Sequence, residues 1–226
     1  MRVVTWNLGY WQHRSSHAGA WAYLRENIKP DLALLQEVNP PELLESESIV
    51  FKLVSGNWGT ALYSRNVPLK ELRFEGYPGR VVVAQLEVAA GRRVVAVSIH
   101  APIIEGRVFP YLAEIFDKVE CVVDEGTFIV GGDLNSARLA EEVWPGYGHG
   151  SFFERLSRSV FFDCHRKFHD TEQQTFFRTG SKHPFQDDHL FVSHDLADLV
   201  KSCNVVNNQV TRGFSDHIPV VAEIDI

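Results

Sequence analysis

Polar residues able to bind a metal ion or a phosphate follow several apolar segments of this 226-residue sequence. Asn7, Glu37, His100 and the pair Asp133 and Asn135 each come shortly after a run rich in Val, Leu, Ile or Phe. Such runs bounded by turn residues predict buried strands. Four predicted strands therefore end in side chains that are able to bind a metal ion or a phosphate.

Two further segments have the reverse order, with the polar residues first. Asp187-Asp188-His189 precedes one apolar run, and Ser215-Asp216-His217 precedes another. If these two strands run opposite to the other four, all six polar groups meet at one edge of the fold. The sequence therefore predicts one convergent site.

Carboxylate and amide oxygens are hard ligands that suit Mg²⁺ or Mn²⁺, and nearby imidazoles are able to protonate or stabilise a charged group. The sequence has no HExxH motif, which argues against a zinc hydrolase. Ser215 does not lie in a GxSxG motif, which argues against a serine hydrolase. Metal-assisted hydrolysis of a phosphoester is the chemistry that fits best.

The site must be positioned by many short strands and a few helices. We predict strands at 2–7, 31–36, 49–54, 59–64, 80–88, 92–99, 127–132, 187–193, 202–206 and 218–225. We predict helices at 16–28, 41–46, 107–123, 136–143 and 151–158. This pattern predicts an α+β layered sandwich formed by a single domain over residues 1–226. A doubly wound nucleotide-binding fold is disfavoured, because neither GxGxxG nor a Walker loop is present.

Composition is that of an ordinary globular protein, with 45% hydrophobic and 23% charged residues. Because the net charge of the protein is −7, we do not expect it to bind a partner through overall positive charge alone. Three dispersed cysteines favour a reducing compartment over a disulfide framework. Without a visible targeting or membrane-spanning segment, we expect a cytoplasmic protein.

Four short motifs in order resemble the endonuclease/exonuclease/phosphatase superfamily. They are Trp6-Asn7, Gln36-Glu37, Gly132-Asp133-Leu134-Asn135 and Ser215-Asp216-His217, and they extend over nearly the whole chain. The resemblance implies a four-layered α/β/β/α sandwich of two mixed sheets. It also implies hydrolysis of phosphodiesters or phosphomonoesters with Mg²⁺ or Mn²⁺ as cofactor.

The resemblance implies a role for each matching residue on the metal and phosphate side. Glu37 corresponds to the main metal ligand, Asn7 to a ligand of metal or phosphate, and Asp216 to a residue that aids metal binding. Asn135 corresponds to the residue that holds the scissile phosphate.

The resemblance also implies the acid and base groups. Asp133 corresponds to the residue that positions or activates the attacking water, and His217 to a group that acts on the phosphate. Asp188 corresponds to the aspartate that orients this histidine, although its neighbour Asp187 is a close rival. His100 resembles the second histidine of the deoxyribonuclease and sphingomyelinase branches, which makes abasic-site repair less favoured.

Two residues outside these motifs are candidate substrate contacts. Trp11 lies just beyond Asn7, where an aromatic ring could stack on a base or pack in the rim. Arg138 follows Asn135 closely and could reach a substrate phosphate. The remaining eight histidines show no ligand spacing, and we expect most of them at the surface or in loops.

The sequence thus predicts a divalent-metal-dependent phosphodiester hydrolase, most simply a nuclease acting on DNA or RNA. It gives no evidence for an obligate protein partner. One alternative is a phosphatase or phospholipase-type enzyme acting on phosphoinositides, sphingomyelin or small phosphate esters. Another is a non-catalytic binding module that retains the sandwich. The presence of Glu37, Asp133, Asn135 and His217 argues against this last alternative.

Overall fold

The computed structural model describes residues 1–123, 126–178, 180 and 183–226. Within them lie twelve strands: β1 (Arg2–Asn7), β2 (Leu32–Val38), β3 (Ser48–Ser55), β4 (Trp58–Ser64), β5 (Lys70–Leu72), β6 (Val81–Glu87), β7 (Arg93–His100), β8 (Phe128–Asp133), β9 (Phe161–Asp163), β10 (Asp188–Ser193), β11 (Val200–Val205) and β12 (Val220–Ile224). The α-helices are α1 (His17–Tyr23), α2 (Tyr111–Val123), α3 (Ala140–Val143), α4 (His149–Leu156), α5 (His194–Ala197) and α6 (Gln209–Phe214). A π-helical turn (Leu24–Ile28) continues α1, and a 3-10 turn (Ala89–Gly91) joins β6 to β7.

The strands form two six-stranded mixed sheets. The first has the order β11-β12-β1-β2-β4-β3, and the second has the order β5-β6-β7-β8-β10-β9. Each sheet contains one parallel pair, β1 with β2 and β7 with β8. Strand β12 runs antiparallel to β1, and β10 runs antiparallel to β8. The strands that carry the polar groups thus have the relative directions that the convergent site requires.

Alternation along the strands buries both faces of each sheet, which produces four layers. In β1 and β2, Val3 and Leu34 pack between the two sheets, whereas Val4 and Leu35 pack on the outer face beneath α1. In the second sheet, Val82 and Ala84 face inward. Their neighbours on the other face pack against α2 and α4, where Phe116 and Phe153 are buried. The fold is an α/β/β/α sandwich, as the sequence predicts.

A short polar bridge crosses the interface between the sheets. The side chain of Gln36 on β2 donates to Ser98 Oγ on β7 at 3.0 Å, and Ser98 Oγ lies 3.3 Å from the carbonyl oxygen of Leu35. All three residues are fully buried. A buried polar group costs free energy unless it is paired, so this bridge fixes the register of the two sheets just before Glu37.

Several sequence predictions need correction. The helix predicted at 41–46 does not form, because Pro40 and Pro41 begin an extended segment that ends in a turn. The helix predicted at 136–143 is limited to α3, and two strands of three residues each, β5 and β9, are missed. Strands this short carry too little periodicity to be recognised.

The expectation that most of the eight remaining histidines lie at the surface or in loops is wrong for His17, His149 and His189, which are buried in helices or a strand. His165 lies in a turn, as expected, but it is buried. His149 hydrogen-bonds Ser136, His189 hydrogen-bonds the carbonyl oxygen of Ser136, and His165 stacks on His169 with ring centroids 4.3 Å apart. A histidine ring is flat and partly apolar, so it packs in a core wherever tertiary neighbours accommodate it.

The three cysteines are free thiols, and only Cys121 is exposed. Among the helices of the described residues, none is long and apolar enough to cross a membrane.

Candidate active site

The strand ends meet in a cleft at one edge of the sandwich. Asn7 ends β1 and Asp133 ends β8, and Asn7 Nδ2 donates to Asp133 Oδ2 at 2.8 Å. This hydrogen bond joins the two sheets directly. His100 ends β7 and lies level with Asp133 in the parallel register. The last side chains of β7 and β8, His100 and Asp133, therefore lie next to each other in the cleft.

Asp133 lies at the centre of the cleft. Its Oδ1 accepts a hydrogen bond from the backbone N–H of Asn135 at 2.9 Å. Its Oδ2 lies 3.7 Å from His217 Nε2 and 3.8 Å from His100 Nε2. Gly132 precedes it with φ +147, and a Cβ there would collide with the carbonyl oxygen of Ile99. A glycine is therefore required where the strand delivers Asp133.

His217 and Asp188 form a tightly bound pair. His217 Nδ1 and Asp188 Oδ2 are 2.8 Å apart, and both side chains are buried. Burial alone lowers the pKa of His217, but the carboxylates of Asp188 and Asp133 outweigh it and raise this pKa well above its ordinary value. The ring is thereby held as an imidazolium with Nε2 directed towards Asp133.

Glu37 lies in the cleft next to His100. It occupies a β-bulge of β2 with φ +49, a left-handed conformation that is uncommon for a non-glycine residue. Its Oε1 lies 3.5 Å from His100 Nε2. Burial, and then the charge of Asp133, raise the pKa of Glu37 to about 7. The bulge thus places the Glu37 carboxylate near Asp133, where the nearby positive charges do not fully compensate the two negative charges.

The donor set of this cleft fits a divalent cation. Carboxylate and amide oxygens come from Glu37, Asn7 and Asp133, and Asp216 acts on the same charge cluster. A cation between these groups would relieve the repulsion that raises the pKa of Glu37. Asp133, Asp188 and His217 also place ligand atoms within 4.8 Å of one another, but two of these atoms already bond to each other.

The model of the Endonuclease/Exonuclease/phosphatase family matches residues 4–217 of this sequence. The chain belongs to this family. Its members hydrolyse phosphoester bonds, which agrees with the chemistry that the cleft supports. No curated protein matches the sequence.

Solved structures of other family members share the fold. An AP endonuclease from Archaeoglobus fulgidus is 22% identical over 100% of both chains, with a TM-score of 0.76. The 3′ phosphatase NExo from Neisseria, bound to a product DNA hairpin, is 21% identical over 100% of both chains, with a TM-score of 0.78. The AP endonuclease LMAP from Leishmania major is 20% identical over 99% of this chain and 87% of the other, with a TM-score of 0.79.

The structure brings most of the sequence-predicted residues of this Endonuclease/Exonuclease/phosphatase family member together. Asp216 lies at the rim, with Oδ1 3.7 Å from His13 Nε2. Arg138 turns away: its guanidinium covers the ring of Phe153 at 4.7 Å and lies 3.6 Å from Asp163. Trp11 is half exposed in the turn after β1. The substrate-binding roles of Arg138 and Trp11 stay predictions.

Sequence reasoning missed Arg80, which lies just before β6. Arg80 Nη1 donates to His100 Nδ1 at 3.0 Å, and its guanidinium lies over the ring of Trp58 at 5.7 Å. Burial lowers the pKa of His100 to about 3, and Arg80 contributes to this in opposition to Asp133. In the sequence Arg80 opens an apolar run instead of closing one, so the pattern that revealed the other residues does not reveal it.

Phe176 and Asp187 complete the walls of the cleft. The ring of Phe176 packs on His217 with centroids 4.7 Å apart. Asp187 is buried beside Asp188, and burial followed by the charge of Asp133 raises its pKa to about 8. The only sequence signal was Asp187 itself, a carboxylate where the resemblance implies an apolar residue.

Proposed function

We propose that this protein is a Mg²⁺- or Mn²⁺-dependent phosphodiesterase that cleaves nucleic acid. One observation supports this most strongly: Asp133 contacts Asn7 of the other sheet and stands beside the His217–Asp188 pair. This arrangement assembles a water-positioning carboxylate and an imidazolium around one point. Family membership agrees with the same chemistry.

Glu37 and Asn7 would hold the metal ion, with Asp216 in support. The oxygen donors suit Mg²⁺ or Mn²⁺ rather than a thiolate-seeking metal. When bound, the ion supplies charge that stabilises the transferring phosphate and lowers the pKa of water. Its charge also lets a polyanionic substrate approach a protein whose net charge is −7.

The remaining groups act on the phosphate and on the proton. Asn135 is held by a hydrogen bond from its Nδ2 to the carbonyl oxygen of Ala101 at 2.9 Å, which presents the rest of its amide to the scissile phosphate. Asp133 orients the attacking water. His217, kept charged by Asp188, stabilises the developing negative charge on phosphate oxygens and is placed to donate a proton from Nε2.

Removal of a terminal phosphate from nucleic acid is a second candidate. The structural likeness to the Neisseria protein described as a 3′ phosphatase favours it over the lipid substrates. The same groups would serve, because a phosphomonoester and a phosphodiester develop similar charge on the phosphate oxygens.

We also propose that residues 1–226 form one catalytic domain, since β1 pairs with β12 across the length of the chain.

The decisive experiment is hydrolysis of end-labelled single- and double-stranded DNA and RNA with Mg²⁺, Mn²⁺ or EDTA. We expect cleavage with metal, none with EDTA, and none by Asp133→Ala. Asp117→Ala is the matched control, because Asp117 is exposed and forms an ion pair with Arg155 on the outer helices. Cleavage in EDTA, or more than a tenth of wild-type activity in Asp133→Ala, would contradict the proposal.

A further inference from the structure

A large cavity opens next to the cleft, and its walls are unusually aromatic. Its volume is about 930 Å³, near the upper end of the ~300–1,000 Å³ range of small-molecule sites. The residues used below line what we call the aromatic cavity: Phe109, Trp144, Tyr147, Phe176, Phe185 and Asp187. None of the catalytic roles proposed above requires this space.

The aromatic cavity is continuous with the cleft through two residues. Asn135, the proposed phosphate-binding residue, forms part of its wall. Phe176 lines it as well, and the same ring packs on His217. A group bonded to a phosphate held between Asn135 and His217 would therefore be able to enter the cavity.

The mouth of the cavity carries large aromatic side chains that the core does not bury. Trp144 is 45% exposed and Tyr147 is 53% exposed. The ring of Trp144 lies 5.1 Å from that of Phe185, which lies deeper. Exposed flat rings beside a phosphate site offer stacking surfaces for another flat ring.

Asp187 adds a polar group with a fixed direction. It is 8% exposed, and within the described residues its carboxyl oxygens form no hydrogen bond or ion pair. Its backbone is held on both sides, because its N–H donates to Thr175 Oγ1 at 3.0 Å and its carbonyl oxygen accepts from Leu134 at 2.8 Å. Because Asp187 lines the aromatic cavity, its carboxyl group is available to pair with a ligand there.

We infer that the aromatic cavity binds the unstacked nucleobase of the nucleotide attached to the scissile phosphate, with the base stacked among the aromatic rings and one of its N–H groups donating to Asp187. This inference rests on the proposed function and specifies the substrate: a single-stranded or terminal nucleotide that retains its base. A base-free sugar presents neither a flat face nor an N–H group. It would therefore leave the rings and Asp187 without partners.

The test is a calorimetric titration in EDTA, so that nothing is hydrolysed. AMP and deoxy-AMP are compared with 2-deoxyribose 5-phosphate, which lacks the base. We expect both nucleotides to bind at least about fivefold more tightly than the sugar phosphate, and Trp144→Ala and Tyr147→Ala each to reduce this preference severalfold. Phe168→Ala is the matched control, because Phe168 is an equally exposed aromatic residue that does not line the cavity.

Asp187 is tested by a pair of variants. Asp187→Leu should reduce the preference for the nucleotides, and Asp187→Asn should keep most of it, since the amide oxygen still accepts a hydrogen bond. Equal affinity for the base-free phosphate, or an unchanged preference in Trp144→Ala and Tyr147→Ala, overturns the inference. Binding and cleavage are separate readouts: absent cleavage overturns the proposed function even where nucleotides bind, and absent preference overturns the cavity assignment even where DNA is cut.

Discussion

Two buried histidines flank Asp133 at almost the same distance, yet the protein holds them in opposite states. His217 Nε2 lies 3.7 Å from Asp133 Oδ2, and His100 Nε2 lies 3.8 Å from it. The pKa of His217 is raised well above its ordinary value, whereas that of His100 is lowered to about 3. Burial lowers both values, so burial does not explain the difference.

The partner behind each ring explains it. The carboxylate of Asp188 contacts His217 Nδ1, whereas the guanidinium of Arg80 contacts His100 Nδ1. One side of the cleft therefore offers an imidazolium, and the other offers a neutral ring beside a permanent cation. Both sides present one positive charge to a phosphate, but only the His217 side carries it on a group able to give up a proton.

The largest expected effect is the loss of His217. His217→Ala removes both the charge and the proton donor, so we expect kcat to fall by about 10²–10⁴ with the fold intact. The measurement is single-turnover DNA cleavage. His194→Ala, which removes an exposed histidine outside the cleft, should retain wild-type activity. A fall of less than tenfold for His217→Ala would show that the two sides share the proton transfer.

The next effect separates the charge of Asp188 from its hydrogen bond. Asp188→Asn keeps an oxygen near His217 Nδ1 but removes the negative charge, so the pKa of His217 should fall and kcat should drop by about 10–100-fold. The pKa is measured by NMR titration of ¹³C-labelled histidine. An unchanged pKa would mean that Asp133 alone keeps His217 charged.

A smaller effect is expected on the other side. Arg80→Met removes the cation behind His100, so kcat/KM should fall about tenfold, the equivalent of one charge-assisted hydrogen bond. The pKa of His100 should rise in the same variant, because a neighbouring positive charge is gone. Arg73→Met, at an exposed arginine paired with Glu75, is the control. An unchanged pKa would mean that burial keeps His100 neutral without a contribution from Arg80.

The prediction with the smallest effect on activity concerns stability at acid pH. The pKa of His100 is about 3 in the folded protein against 6.5 for an ordinary histidine. Between these values the unfolded chain binds a proton that the folded protein does not bind. The His100 contribution therefore lowers the free energy of unfolding as the pH falls, by up to ~1.4 kcal/mol per pH unit.

His100→Gln should thus lose stability less steeply than the wild type between about pH 6.5 and pH 4, as measured by urea unfolding. The linkage has the opposite sign for His217. Because its folded pKa is raised, its contribution is present below pH 6.5 and is lost as the pH rises. Parallel curves for wild type and His100→Gln would show that His100 is protonated in the folded protein.

The sequence predicts one half of this comparison better than the other. Asp188 and His217 precede apolar runs, and Glu37, His100 and Asp133 follow them, so local patterns and strand direction suffice to bring them together. Arg80 reaches His100 only through the antiparallel register in which Val81 pairs with Ile99. No local sequence pattern predicts that register. The aromatic cavity is not predictable from local patterns either, because its walls come from loops and short helices that are distant in sequence.

The fold class was predictable because strand periodicity is local, while short elements and buried histidines depend on tertiary neighbours. His189 illustrates this: it lies in a predicted strand, but as one of the remaining histidines it was expected at the surface or in a loop, and β10 buries it at 1% exposure. Its ring then packs against Phe153 with centroids 4.9 Å apart. Tertiary packing decided where this residue lies.

The two sheets differ in how much of the chain must be synthesised before all their strands are present. All strands of the second sheet lie between residues 70 and 193, whereas in the first sheet Thr5 pairs with Val220. During synthesis all strands of the second sheet are translated before β11 and β12, so the first sheet is completed last. The hydrogen bond between Asn7 and Asp133 and the approach of His217 both depend on that last pairing. The cleft is therefore assembled only after β12 has joined the first sheet.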